Sequence, residues 1–225
     1  MMKILENIDA VIFDMDGTLL DSMWIWPDID DVFLEKYGLE KPEGFHEGME
    51  GKSYPETAQY FLDLFPTLTQ TKDEIMDEWN EMAHDRYISQ VQLKPGAKEF
   101  ILSMKASGLK TGIATSNSRF LVNDTLKALA IENLFDSVRT SCEAGAGKPA
   151  PDVYLLVASD IEVEPSRCLV FEDVPMGILA GINAGMKTCA IYDEFTRVQD
   201  DKKRELADYY IKDFNDILNG TYEVL

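Results

Sequence analysis

Short apolar runs rich in β-branched residues recur along the chain at Ala10 to Phe13, Thr111 to Ala114, Cys168 to Phe171 and Thr188 to Tyr192. Apolar at successive positions, each predicts a buried strand of a parallel sheet, covered on both faces. Between them lie helical patterns: Gly96 to Ser107 with a stop at Gly108, Leu121 to Ala130, Pro151 to Ser159, and Pro175 to Ala184 with a stop at Gly185. Alternating strand and helix predict a layered α/β fold. Weaker runs at Ser137 to Thr140 and Tyr209 to Ile211 predict two further strands.

The rhythm breaks between about Asp21 and Val91, where no strand pattern appears and three amphipathic helices are predicted. Ile29, Phe33 and Tyr37 recur at i, i+4 and i+8 ahead of Gly38. Pro55 opens a second helix whose Ala58, Phe61, Leu62 and Phe65 precede a stop at Pro66. Thr71 and Glu74 have the spacing of a capping box, and Ile75, Trp79, Met82 and Tyr87 form a stripe on the helix behind them. Residues 22–91 are therefore expected to form a helical domain inserted into a core built from 1–21 and 92–225.

Charge narrows the partners. With 21 Lys plus Arg against 41 Asp plus Glu, a net charge of -20 and no local basic patch, the chain repels nucleic-acid backbones and anionic membrane surfaces. Binding an anionic small molecule then requires positive charge concentrated at one point, from a lysine, backbone N–H groups or a metal ion. Cys142, Cys168 and Cys189 are too widely spaced to indicate a disulfide framework or a zinc site. No segment approaches the roughly 18 apolar residues of a membrane span. A soluble cytoplasmic protein with a small-molecule partner is expected, without nucleic-acid or membrane partners.

The first segment with chemistry is Asp14-Met15-Asp16-Gly17-Thr18, directly behind the run ending at Phe13 and hence at a strand's carboxyl end. Residues two apart on an extended chain face the same way, which lets Asp14 and Asp16 converge unless the chain already bends there. Their repulsion calls for a divalent cation or a shared proton, and hard oxygen ligands favour Mg²⁺. An isolated Asp-x-Asp-Gly is as often a plain surface turn. The balance tips because three further segments follow three other predicted strands.

Taken in order, these motifs resemble those of the haloacid dehalogenase-like hydrolases, in the phosphatase and phosphoglucomutase branch that carries a helical cap. The first motif is similar to Asp14-Met15-Asp16-Gly17-Thr18-Leu19 and the second to Ile113-Ala114-Thr115-Ser116-Asn117-Ser118. The third is similar to Gly147-Lys148-Pro149-Ala150-Pro151-Asp152 and the fourth to Phe171-Glu172-Asp173-Val174-Pro175-Met176-Gly177. The resemblance implies a Rossmann-like parallel-sheet core whose first strand is central, with all four loops at one edge. It further implies an Mg²⁺-dependent phosphatase of small phosphorylated metabolites, sugar phosphates foremost. In that reading Asp14 attacks phosphorus and Asp16 serves as acid and then base. The cation is held by the Asp14 side chain, the Asp16 carbonyl and Asp173, with Glu172 auxiliary. Thr115, Ser116 and Asn117 hold the phosphoryl oxygens, and Lys148 offsets their charge.

Other readings fit less well. A dehalogenase of this family would lack the acid at Asp16, an aspartyl-phosphate transport ATPase needs membrane spans, and a receiver module is shorter. A non-catalytic protein is expected to have lost one of the core residues, and none is missing. The runner-up is a β-phosphoglucomutase, for which the family pattern puts a histidine twelve residues after the nucleophile and an arginine in the cap's glycine loop. Here those positions hold Trp26 and, through Gly51-Lys52-Ser53, Tyr54, with Lys52 as the remaining cation. His46 and His84 show no ligand spacing and are expected in ordinary surface or core roles. Trp24, Trp26 and Trp79 are expected first as core residues, with Trp24 and Trp26, next to the hinge after Asp21-Ser22, the candidates for lining the cleft between cap and core.

Overall fold

The computed structural model describes residues 3–46 and 48–225. Regular structure starts with β1 (Ala10–Phe13) and the two-residue β2 (Leu20–Asp21), followed by three helices, α1 (Ile25–Lys36), α2 (Tyr54–Leu64) and α3 (Lys72–Ser89). β3 (Gln92–Leu93) returns antiparallel to β2, pairing Leu20 with Leu93 and Asp21 with Gln92. Strand and helix then alternate through α4 (Ala97–Ala106), β4 (Lys110–Thr115), α5 (Arg119–Ala128), β5 (Ser137–Thr140), α6 (Ser141–Ala144), α7 (Asp152–Asp160) and β6 (Cys168–Glu172). The chain ends with α8 (Pro175–Asn183), β7 (Lys187–Ile191), α9 (Asp200–Leu206), β8 (Tyr209–Ile211), α10 (Asn215–Asn219) and β9 (Glu223–Val224).

Seven strands form one sheet in the order β5-β4-β1-β6-β7-β8-β9. All its pairs are parallel except β8 with β9. β1 is central, and the order runs away from it in both directions, which opens a crevice at the carboxyl ends of β1, β4 and β6. Successive residues of β1 serve opposite layers: Val11 and Phe13 enter one core cluster, Ala10 and Ile12 the other. In the first layer Phe13 stacks on Phe171 with ring centres 5.3 Å apart and Phe100 on Phe214 at 5.5 Å. Phe13 also meets Phe100 edge-on at 6.1 Å. Each fully buried ring contributes about 1.5–3 kcal/mol, so the four rings lock β1, β6, α4 and the turn before α10 together.

The six strands expected of the sheet are present, with ends displaced by a residue or so. β2 and β3 lie at the seam of the segment read as strand-free, because two-residue strands are too short to show a period. Between them, α1, α2 and α3 each supply one ring to a tight cluster. Phe33 and Phe61 are 5.6 Å apart, Phe61 and Trp79 4.8 Å, and Phe33 and Trp79 5.8 Å. α3 starts at the expected capping box, where the Glu74 carboxylate accepts from the Thr71 N–H at 2.7 Å. Its buried row is Ile75, Trp79, Ala83 and Tyr87, and Met82, expected in that row, lies beside it and is half-buried.

α2 begins at Tyr54 rather than Pro55, because Ser53 and Glu56 make a second capping box that the sequence reading passed over. The Glu56 carboxylate accepts from the Ser53 N–H at 2.7 Å and from its hydroxyl at 2.6 Å. No helix among the described residues is long and apolar enough to cross a membrane.

Candidate active site

Asp14 is the first residue beyond β1, and its N–H still bonds to the Phe171 carbonyl of β6 at 3.0 Å, so the ladder itself presents the carboxylate. Gly17 then turns the chain at φ +77°, and a Cβ there would meet the Asp173 carboxylate at 2.3 Å; conformation and space both demand glycine. Thr115 ends β4, Glu172 ends β6 with Asp173 next to it, and the loop between α6 and α7 delivers Lys148.

At the floor, the Lys148 ammonium donates to Asp14 Oδ1 and to Glu172 Oε1, both at 2.5 Å, and all three groups are buried. The Tyr154 hydroxyl donates to the same Glu172 oxygen at 2.6 Å, while Asp173 accepts from Thr18 at 3.0 Å and from Thr196 at 3.4 Å. Oxygens of Asp14, Glu172 and Asp173 lie within 4.8 Å of one another. Burial pushes the Asp14 carboxyl well above its usual range; Lys148 opposes this, and Glu172 and Asp173 reinforce it. Burial, with the fields of Glu172 and Asp193, pushes Asp173 up to about 8. Burial works against the Lys148 charge too, but Asp14 and Glu172 together outweigh it and its pKa rises. Lys148 thus offsets the charge of Asp14 and Glu172 while the cation that acts on Asp173 is Lys203, and the all-oxygen donor set of the three carboxylates suits a hard divalent cation.

Asp16 faces elsewhere. Its carboxylate accepts from Ser22 at 2.6 Å, from the Tyr87 hydroxyl at 2.5 Å and from the Asn117 amide at 2.8 Å. Burial raises its pKa and these three donors pull it back. The expected meeting of the Asp14 and Asp16 side chains is therefore absent: the chain already turns at Asp16, which bridges Leu20, and the third acid of the cluster is Glu172. Asn117, assigned to the phosphoryl group on sequence, is engaged by Asp16. Thr115 accepts from the Asn117 N–H at 3.1 Å and Ser116 lies 3.3 Å from the Ser141 hydroxyl. Helix α5 is capped by Ser118, whose hydroxyl accepts from the Leu121 N–H at 3.2 Å.

A cavity of about 550 Å³ separates this floor from the helices of segment 22–91. Asp14, Asp16, Lys148 and Asp173 line it below, and Trp26, Tyr54 and Trp79 above. Trp24, expected at the cleft, turns away, its indole N–H donating to the Asp21 carbonyl at 3.1 Å. His46 lines the cavity with Nδ1 3.6 Å from Asp30, a place that no sequence signal marked. His84 stacks on Phe120 of α5 at 5.1 Å and bonds to Asp124 at 2.9 Å, which ties α3 to α5. Tyr87 and Tyr154 were legible only as apolar helix positions, since their period fixes a face and says nothing of what the hydroxyl reaches.

Known proteins carry the same architecture. The profile of the haloacid dehalogenase-like hydrolase family matches residues 11–191. Protein CbbY of Rhodobacter capsulatus is 30% identical over 231 residues, covering 93% of this chain and 95% of its own. The phosphorylated carbohydrates phosphatase of Thermotoga maritima is 29% identical over 184 residues, covering 80% of this chain and 83% of its own. The crystal structure of CbbY from Rhodobacter sphaeroides in complex with phosphate superposes with a TM-score of 0.78 at 23% identity, covering 92% of this chain and 95% of that one. With the family profile running from β1 through β7 and over all four loops at the sheet's edge, the chain belongs to the haloacid dehalogenase-like hydrolases, in their phosphatase branch, and is a phosphoric monoester hydrolase.

Proposed function

We propose that the protein is an Mg²⁺-dependent phosphatase of a small phosphorylated metabolite, a sugar phosphate or a close analogue, working through a phosphorylated Asp14. The observation that carries this is the buried Lys148, held between Asp14 and Glu172 at the floor of the cavity with Asp173 beside them. It is the concentrated positive point that a chain of net charge -20 needs to accept a phosphoryl group. The name of the Thermotoga relative supports a carbohydrate ester.

In the first step an Asp14 oxygen forms a bond to phosphorus as the bond to the leaving alcohol breaks, and Asp16 supplies the alcohol's proton. Burial favours the protonated Asp16 that this requires. In the second step Asp16 takes a proton from water, the water oxygen bonds to phosphorus, and the Asp14 carboxylate leaves with phosphate released. Lys148 offsets charge on the phosphoryl oxygens, which the Thr115 hydroxyl and Ser116 N–H also bind. Asp14, the Asp16 carbonyl and Asp173 would hold the cation, with Glu172 in reserve; when bound, Mg²⁺ neutralises and polarises the phosphoryl group. Residues 22–91 act as a cap over a core of 1–21 and 92–225, hinged at the β2–β3 ribbon, so that closure excludes bulk water.

The mutase reading is disfavoured because Trp26 and Tyr54, which face the cavity, replace the imidazole and guanidinium it needs. Hydrolysis of an aryl phosphate in Mg²⁺ tests the proposal, with Asp14→Asn expected to abolish turnover and keep the fold. A folded protein that releases no phosphate from aryl or metabolite esters would refute it.

A further inference from the structure

A lysine is almost never wholly buried unless its charge is paired, and Lys203 of α9 has no exposed surface at all. No step of the proposed reaction uses it. Its ammonium lies under the loop that joins β7 to α9, residues 192–199, among three acceptors. It donates to the Ile191 carbonyl at 3.3 Å and to the Thr196 hydroxyl oxygen at 3.4 Å, and it pairs with Asp200 Oδ1 at 2.6 Å. One cation thus fastens the loop at its start, its middle and its end. An ammonium has no lone pair, so the Thr196 oxygen can only accept from it. The hydroxyl's own proton is left for Asp173, whose Oδ2 accepts it at 3.4 Å, while Thr18 holds Oδ1 at 3.0 Å.

A second ammonium secures the same loop. Lys94 donates to Asp193 Oδ2 at 2.6 Å and to the Tyr192 carbonyl at 3.4 Å, and Asp193 Oδ1 accepts from the Phe195 N–H at 2.8 Å. Apolar packing contributes little here, since Phe195 is 50% and Val198 86% exposed. Charge and hydrogen bonds therefore hold Thr196 in place, and the Lys203 ammonium is the group that touches it.

Resting on the Mg²⁺ reading above, we propose that Lys203, acting through Thr196, is a positioning residue for the cation site: it fixes the orientation of the Asp173 carboxylate. With one hydroxyl on each oxygen the carboxylate plane cannot turn, and an Asp173 oxygen stays within 4.8 Å of oxygens of Asp14 and Glu172. A ligand held in this way loses no freedom when the ion arrives, which is why groups behind a metal ligand govern its affinity.

The test is calorimetric titration of Mg²⁺ into the wild type, Lys203→Met, Thr196→Val, the double variant, Thr196→Ser and Lys202→Met, with a melting curve for each. Lys203→Met and Thr196→Val are each expected to weaken Mg²⁺ binding about tenfold, the lower end of the loss when such a group is removed. The double variant is expected to weaken it no further, since both substitutions break one chain of hydrogen bonds. Thr196→Ser keeps the hydroxyl and Lys202 is an exposed neighbour paired with Glu205, so both variants are expected to bind Mg²⁺ as the wild type does. Turnover of an aryl phosphate by the two weakened variants is expected to need about tenfold more Mg²⁺ for half its maximal rate, with the substrate KM at saturating Mg²⁺ unchanged.

A purely structural Lys203 would lower the melting temperature and leave the Mg²⁺ constant alone, and that result overturns the inference. So does a roughly hundredfold loss in the double variant, the sign of two independent effects. Lys203→Met leaves Asp200 without its cation; should that protein not fold, Thr196→Val, which alters no charge, decides, and wild-type Mg²⁺ affinity there overturns the inference. A wild type that binds no Mg²⁺ sinks the cation reading and this inference with it, whereas wild-type binding matched by every variant sinks this inference alone.

Discussion

Tyr87 illustrates how one residue serves two levels at once. Its ring fills the buried row of α3, while its hydroxyl reaches Asp16, an acid on the far side of the seam. Removing only the hydroxyl keeps the packing and frees one carboxylate oxygen to rotate. Tyr87→Phe is accordingly expected to lower kcat about tenfold, a fraction of the 10²–10⁴ that a positioned acid–base group supplies, with KM nearly unchanged. A KM that rose with kcat intact would place the hydroxyl in substrate binding instead. Asp30 gives a second residue-scale prediction, on stability. Burial raises its folded pKa to about 7 from an ordinary 3.8, so the folded state binds the extra proton and wild-type stability declines as pH rises through that interval. At about 1.4 kcal/mol per pH unit, the interval is worth up to about 4 kcal/mol. Asp30→Asn, which cannot ionise, should melt above the wild type at pH 8 and close to it at pH 4.

At the scale of elements, the parallel strands were legible because burial on both faces leaves an unbroken apolar run, and α1 to α3 because one buried stripe repeats every three or four residues. The floor of the site followed from them, since Asp14, Thr115 and Asp173 each come at or just past the end of a strand. The roof did not: α1, α2 and α3 meet through tertiary packing, which no periodicity encodes, so Asp30 and His46 stayed unmarked. Short pieces such as α6, α10 and β9 escaped for the same reason that β2 and β3 did. The contact between α2 and the Lys148 loop is one such hidden junction. The Gly147 N–H bonds to the Glu56 carboxylate of the α2 capping box. A Cβ on Gly147 would meet Glu56 Oε2 at 2.4 Å and the Ser53 nitrogen at 2.6 Å, and one on Gly51 would meet the Lys148 carbonyl at 2.4 Å. Gly147→Ala should therefore prop the helical segment away from the lysine loop and lower kcat/KM about tenfold or more, because small misplacements are magnified at a preorganised site. The phenylalanine knot of the sheet is untouched, so the melting temperature is expected to move little, and a large drop would locate the defect in folding.

For the whole molecule, the net charge of -20 and the three acids at the floor act in the same direction: the folded chain gathers negative charge that the unfolded chain keeps dispersed. With Asp173 pushed up to about 8 by burial and its acidic neighbours, a cation-free fold loses stability as pH rises toward and past that value. A divalent cation that binds the folded state alone reverses this by mass action, adding about 2.7 kcal/mol at a hundred times its dissociation constant. For a chain of this length that corresponds to a rise in melting temperature of roughly 5–10 °C. Mg²⁺ is thus expected to raise the melting temperature at pH 8 well beyond what NaCl of equal ionic strength achieves by screening exposed charges. Asp173→Asn removes both a ligand and part of the repulsion, so that variant should melt higher than the wild type without Mg²⁺ and gain little when it is added. Equal Mg²⁺ shifts in the two proteins would mean that the cation acts on the diffuse surface charge and that the floor is not its site.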